Sequence, residues 1–185
     1  MQTDGNGMAA ARAVLDNMAS RRSVRSYSDR KVPEEMIEAL LRAAMAAPSA
    51  KDRRPWSFIV VDDRETLDAL ASGLRYAKML YGAPLAIAVC ADTVTVRPDG
   101  TQVENVFWAQ DASAATENLL LAAEALGLGA VWTAASDAER SAVVRRILGI
   151  PDGVMPLCVV PVGFPAGDER PKDKWDPSRI HRNRF

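Results

Sequence analysis

The run Leu119-Leu120-Leu121-Ala122-Ala123-Glu124-Ala125-Leu126-Gly127-Leu128-Gly129-Ala130-Val131-Trp132-Thr133-Ala134-Ala135 carries the transition on which the fold turns. Its first half is rich in leucine and alanine and predicts the end of a helix. Gly127 and Gly129 stop that helix, and Ala130–Thr133 predicts a short apolar strand. Upstream the same helix extends back to Glu104, which makes it the longest in the chain. It is apolar nearly all round for part of its length, the mark of a buried helix. A membrane span is excluded by Gln110, Asp111, Glu117, Asn118 and Glu124, each expensive in hydrocarbon. Its alanines let another helix approach closely. In a chain of 185 residues, a helix wrapped on all sides is easiest to build where two copies pack around one axis.

Working outward, apolar spacing predicts a short helix over Met8–Met18, preceded by a polar, glycine-rich and flexible lead-in at residues 1–7. A basic stretch, Arg21–Arg30, leads to a second helix. Pro33 opens it, Glu34 and Glu35 suit its first turn, and Pro48 ends it. Trp56–Val61 reads as a strand and Arg64–Leu74 as a helix. Leu85–Cys90 is a nearly continuous apolar strand, hence buried on both faces. Thr93–Thr101 reads as a loop. After the central run come a helix over Asp137–Leu148, with Asp137 at its N-terminus, and a core strand over Met155–Val162. The remainder is polar and rich in proline. Strands and helices interleave with no internal linker, which predicts a single domain over residues 1–185 with one α/β or α+β layer structure.

Composition narrows the function. A net charge of −1 gives no bulk attraction to nucleic acid or to anionic membrane, so neither is an expected partner. Cys90 and Cys158 each sit in an apolar run and read as buried, inert thiols; with no signal peptide in view, a cytoplasmic setting is expected. His181 is the only histidine, so Ser-His-Asp and Cys-His mechanisms and a Cys/His metal site are disfavoured. The glycine pair follows a helix and precedes a strand, the reverse of the dinucleotide fingerprint, and no phosphate-loop or nucleophile-elbow motif is present. An enzyme of this composition would rely on a cofactor for its chemistry.

Three segments could hold one. Ser20–Ser26 packs three arginines and three serines into seven residues, a donor set that matches phosphate oxygens; the competing reading is a solvated basic loop. Ala47–Trp56 combines small residues and prolines, so that backbone can approach a flat ligand, or is a plain connector with Trp56 in the core. Gly129–Ala135 can offer backbone N–H groups to a ring.

In this order, the segments resemble the FMN-dependent nitroreductase-like family. The family's R-R-S-x-R element stands here as Arg21–Arg25, its A-P-S-A-x-N-x-Q-P-W element as Ala47–Trp56, and its G-L-G helix end and following strand as residues 127–133. Leu148–Pro151, Val162–Pro165 and Pro171–Lys174 complete the match. The resemblance implies an α+β fold of the three-layer (α/β) type, nitroreductase-like, with a central mixed sheet flanked by helices and an intertwined homodimer, in which residues 164–185 form an extended tail packed on the partner subunit. It also implies an FMN oxidoreductase that takes electrons from NADH or NADPH and passes them to a small-molecule acceptor, a nitroaromatic, quinone or relative, by a ping-pong mechanism. Arg21, Arg22, Ser23 and Arg25 would bind the phosphate and ribityl chain, with Arg25 also near the pyrimidine end of the ring. Pro48, Ser49, Ala50 and Asp52 would cover the flavin from the other subunit. Trp132, Thr133 and Ala134 would pass the ring with a backbone N–H near N5. Lys172 and Lys174 would return to the phosphate, and Lys78 would reach the ring. No side-chain acid or base is needed for the hydride transfer.

The chain departs from the pattern at Asp52 and Arg54, where the family has Asn and Gln, at Lys51, where a small residue is frequent, and at Ala134, where Gly is common. An ionised Asp52 cannot donate a hydrogen bond and is expected to pair with Lys51 or Arg53 instead. The segment between Ala91 and Glu104 leaves little room for a lid, so an open, permissive pocket is expected. Two other readings stand beside this one: a non-redox flavin store, and a phosphate- or RNA-binding module built on Arg21–Arg25.

Overall fold

The computed structural model describes residues 5–185. Its elements, in chain order, are α1 (Gly5–Ser20), α2 (Glu34–Met45), β1 (Trp56–Val61), α3 (Arg64–Gly73), β2 (Leu85–Asp92), β3 (Val94–Val96), β4 (Gln102–Glu104), α4 (Trp108–Ala125), β5 (Gly129–Ala130), β6 (Thr133–Ala134), α5 (Ala138–Leu148) and β7 (Val154–Gly163). The central sheet has five strands in the order β1-β2-β7-β5, with β6 also on β7. Every ladder in it is antiparallel. Its parallel component among the described residues is the single bridge from Ser23 to Ala130.

The period-two alternation of β2 explains the layering. Leu85, Ile87, Val89 and Ala91 join a core with α2 and α4, while Ala86, Ala88 and Cys90 join a second core with α3 and α5. The strand is buried along both faces, as its unbroken apolar sequence predicts. Burial raises both thiols, to about 11 at Cys90 and about 12 at Cys158, so neither is a nucleophile at neutral pH. α5 begins where its cap predicts, with the Asp137 carboxylate accepting the Arg140 backbone N–H.

Four boundaries differ from the sequence reading. α1 starts at Gly5, inside the stretch read as a flexible lead-in; residues 1–4 lie outside the described residues. The loop expected over Thr93–Thr101 forms a β3–β4 hairpin, with Val94 facing Glu104 and Val96 facing Gln102, so the turn residues Pro98-Asp99-Gly100 close a hairpin. The long helix starts at Trp108 rather than Glu104, because Glu104 belongs to β4. The strand expected over Ala130–Thr133 is split into β5 and β6. Counting inward from Ala130↔Val162 and Thr133↔Val159, Val131 faces Pro161. Proline has no N–H to give, and the Pro161 carbonyl accepts the Tyr27 hydroxyl at 3.3 Å, so the ladder lapses there.

The basic loop after α1 lies along the free edge of this sheet. The Val24 N–H donates to the Ala130 carbonyl at 3.0 Å, Ser28 N–H to Phe164, and Ala166 N–H to the Ser26 carbonyl. The Val24 side chain is fully buried against Gly129, where an added Cβ would lie 2.6 Å from Val24 Cγ1. Gly129→Ala is therefore expected to lower the unfolding free energy by about 1–3 kcal/mol through overpacking, and Val24→Ala in the same chain to restore part of it. Urea unfolding of the two variants checks this; an unchanged midpoint for the single variant contradicts the packing.

Candidate functional site

Two cavities flank this loop and share Arg25. One, of about 420 Å³, is lined by Arg21, Arg22, Ser23, Arg25, Glu169, Arg170, Lys172 and Lys174. The other, of about 400 Å³, is lined by Arg25, the residues after α3 (Leu74–Ala77 and Met79), Val131–Ala134 and Arg140. The first is an anion seat, with six cationic side chains and one acid. The second is flat-walled along the sheet edge. Here the Thr133 hydroxyl turns inward to the Val159 carbonyl, so the segment offers its backbone to the cavity. The Ala135 N–H is taken by the Leu157 carbonyl, and strand alternation leaves the Ala134 N–H on the open side. Arg75 and Arg140 stand 5.2 and 5.7 Å from the Tyr76 ring at the far wall.

The structure thus brings Arg21, Arg22, Ser23, Arg25, Lys172, Lys174, Trp132, Thr133 and Ala134 around two cavities that share Arg25. It does not give them the same freedom. Arg22 donates from Nη1 to Glu124 at 2.8 Å and from Nε to the Glu169 carbonyl at 2.8 Å, tying α4 to the tail. Its part-buried guanidinium is a structural clamp beside the seat. Arg21 reaches Glu117 at 3.4 Å, a longer contact to an acid that is itself half-exposed, which a better acceptor can displace.

Lys78 is placed elsewhere. Its ammonium caps α3, donating to the Ala71 carbonyl at 2.7 Å and the Ser72 carbonyl at 3.3 Å, and it does not line the groove. The helix C-terminus is the stronger acceptor for a lysine that follows it so closely.

Pro48, Ser49, Ala50 and Asp52 also stay away from both cavities of their own chain. They form a tight loop in which Lys51, Asp52 and Arg54 all have positive φ, at 56°, 51° and 50°. Three left-handed non-glycine residues in four persist only when their surroundings hold them. Ser49 Oγ accepts the Arg54 N–H at 2.9 Å. Asp52 pairs with Arg54 rather than with Lys51 or Arg53, and the guanidinium hydrogen bond holds its carboxyl below the usual range. The main anchor is Asp111 in the first turn of α4, whose Oδ1 accepts the Ala50 N–H at 2.9 Å. Asp111 is 5% exposed, and its Oδ2 has no partner among the described residues.

Sequence reasoning noted Asp111 only as a cost against membrane insertion. An acid inside an otherwise apolar helix was the signal that could have found it. Glu169, Arg75 and Arg140 gave no such signal, since each is a charged residue in a polar setting. No cluster of potential metal ligands is present, and no helix is long and apolar enough to cross a membrane, among the described residues.

Asp111→Ala is expected to release the loop. Trypsin should cut after Lys51 and Arg53 about tenfold faster, the scale of a lost charge-assisted hydrogen bond, while core stability falls less. Equal cleavage rates for variant and parent would contradict the anchoring role.

Comparison with known proteins places this geometry. The model of the nitroreductase family matches residues 18–75 and 65–164. A protein of Methanothermobacter thermautotrophicus with the provisional name NADH dehydrogenase/NAD(P)H nitroreductase is 45% identical over 181 residues, covering 97% of this chain and 92% of the relative. The crystal structure of a protein from Parabacteroides distasonis with the same provisional name superposes with a TM-score of 0.86 at 48% identity, covering 94% of this chain and 99% of that one. An FMN-dependent nitroreductase of Clostridium difficile superposes with a TM-score of 0.82 at 32% identity, covering 92% and 99%.

Proposed function

This chain belongs to the nitroreductase family, and on that premise we propose that it is an FMN-dependent oxidoreductase. It takes electrons from NADH or NADPH and passes them, in a ping-pong cycle, to a small acceptor such as a nitroaromatic or quinone. The observation that carries the reading is the joining of two unlike cavities at Arg25: an anion seat at one end and a flat edge of backbone at the other. FMN has that shape and charge, a phosphate of about −2 on a chain that ends in a flat ring.

The residues fit the group. Arg21, Ser23, Lys172 and Lys174 would hold the phosphate. Arg25, shared by both cavities, would hold the polyol and the electron-rich end of the ring, where a guanidinium favours added negative charge. The Ala134 backbone N–H would orient the ring edge at N5. When bound, FMN supplies two-electron hydride chemistry, which needs no side-chain acid or base. Trp132 is half-buried and packs against the first core, and with Val131 it lines the cavity along the sheet edge.

A second copy of the chain completes the site in this reading. Met8, Val14, Leu15 and Met18 leave α1 with an exposed apolar stripe, and Val106, Phe107 and Trp175 are exposed as well. The Asp111-held loop, which lines neither of these two cavities in its own chain, would cover the partner's flavin. Pro165, Ala166 and Glu169 are tied to their own chain's basic loop, so the tail expected on the partner from residue 164 would reach it only beyond Lys174.

The purified protein is expected to absorb near 450 nm, as oxidised flavins do, and to bleach on anaerobic addition of NADH or NADPH. A band that persists with both donors would favour flavin storage. No band after FMN is added would overturn the proposal and return Arg21–Arg25 to a basic loop or a nucleic-acid surface.

A further inference from the structure

One acid stands among the cations of the anion seat. Glu169 Oε1 accepts the Arg25 backbone N–H at 2.9 Å, while its own carbonyl accepts Arg22 Nε at 2.8 Å. The same residue therefore grips the basic loop through side chain and backbone together. Room for the grip comes from Gly167: a Cβ there would lie 2.5 Å from Glu169 Oε2 and 3.0 Å from its Cδ. The Arg25 N–H, with help from the backbone N–H groups of Glu169 itself and Ser26, holds the carboxyl below the usual carboxylate range, so it is charged at neutral pH.

This grip is the last tie between tail and body. Ala166 N–H bonds the Ser26 carbonyl, and Glu169 follows. From Arg170 to Lys174 no hydrogen bond reaches the body of the chain among the described residues; the next one, from Trp175 N–H to Asp173, is internal to the tail. Lys172 and Lys174, three and five residues after Glu169, nevertheless line the seat. Among the described residues, the grip is the hydrogen-bonded tie nearest to them that directs them there.

We propose that Glu169, seated over Gly167, is a positioning residue that latches the tail to the basic loop and so delivers Lys172 and Lys174 to the phosphate of the flavin. The inference rests on the FMN reading above. It makes a prediction of unusual sign. Removing a negative charge from an anion seat should tighten anion binding if the charge acts only through its field. A latch predicts the reverse.

The test is equilibrium binding of FMN and of riboflavin, which lacks the phosphate, followed by flavin fluorescence. Glu169→Ala and Gly167→Ala are each expected to weaken FMN binding about tenfold, the scale of one charge-assisted hydrogen bond, and to move riboflavin binding less than about twofold. Glu169→Gln keeps an acceptor for the Arg25 N–H and is expected to stay within about threefold of the parent for FMN. The thermal midpoints should agree, since the tail lies outside both cores. FMN binding that is unchanged or tighter in Glu169→Ala and Gly167→Ala would overturn the latch, as would equal losses for FMN and riboflavin, or a Gln variant as weak as the Ala variant. A parent protein that binds neither flavin would overturn the FMN reading, and the latch with it.

Discussion

The structure depends on the seating of Val24 against Gly129. A fully buried valine presses on a residue with no Cβ, and the Val24 N–H bonds the carbonyl of the next residue, Ala130. This contact docks the basic loop on the broken edge of the sheet. It sets Arg21, Arg22 and Ser23 along the anion seat and Arg25 between the two cavities, so both follow from it. The break in the edge is equally physical. Pro161 has no N–H for Val131 and lends its carbonyl to Tyr27, which leaves the strand free to turn past the groove between Ala130 and Thr133. The Tyr27 hydroxyl, raised well above its ordinary pKa mainly by burial, stays neutral and serves as a hydrogen-bond donor to Val24 and Pro161.

Charge in this chain is divided between structure and site. Glu117 and Glu124 on α4 take up Arg21 and Arg22, Glu169 takes the Arg25 backbone, and the Lys78 ammonium closes α3. A cationic segment of this kind would repel itself if left unpaired. The acids hold it in shape, and only part of its charge is left for a ligand. The 49–54 loop uses the same logic with a buried acid, Asp111, and three strained residues.

Much of this was legible in the sequence. The nearly continuous apolar run Leu85–Cys90, the Asp137 cap and the glutamates after Pro33 are local signals, and β2, α5 and α2 lie where they indicate. The order of the arginine, Ala-Pro-Ser and Gly-Leu-Gly segments marked the family, now supported by the match over residues 18–164. What was not legible depends on partners distant in sequence. The β3–β4 hairpin hides behind turn residues because each strand is only three residues long. Arg22 reads as an unpaired cation until Glu124, on another element, is seen beside it. Lys78 looks free until the α3 carbonyls appear at its ammonium. Glu169 acts through a backbone N–H that no pattern of side chains could announce. Motif order carried the family and the outline of the groove; the assignment of each cation needed three dimensions.

The most direct test of the account is a crystal structure of the protein grown with FMN. The account predicts one flavin per chain, its phosphate among Arg21, Ser23, Lys172 and Lys174, its ring along Trp132–Ala134, and the Pro48–Asp52 loop of a second copy against it. Flavin bound elsewhere, or a phosphate seated away from the basic loop and the tail, would contradict it.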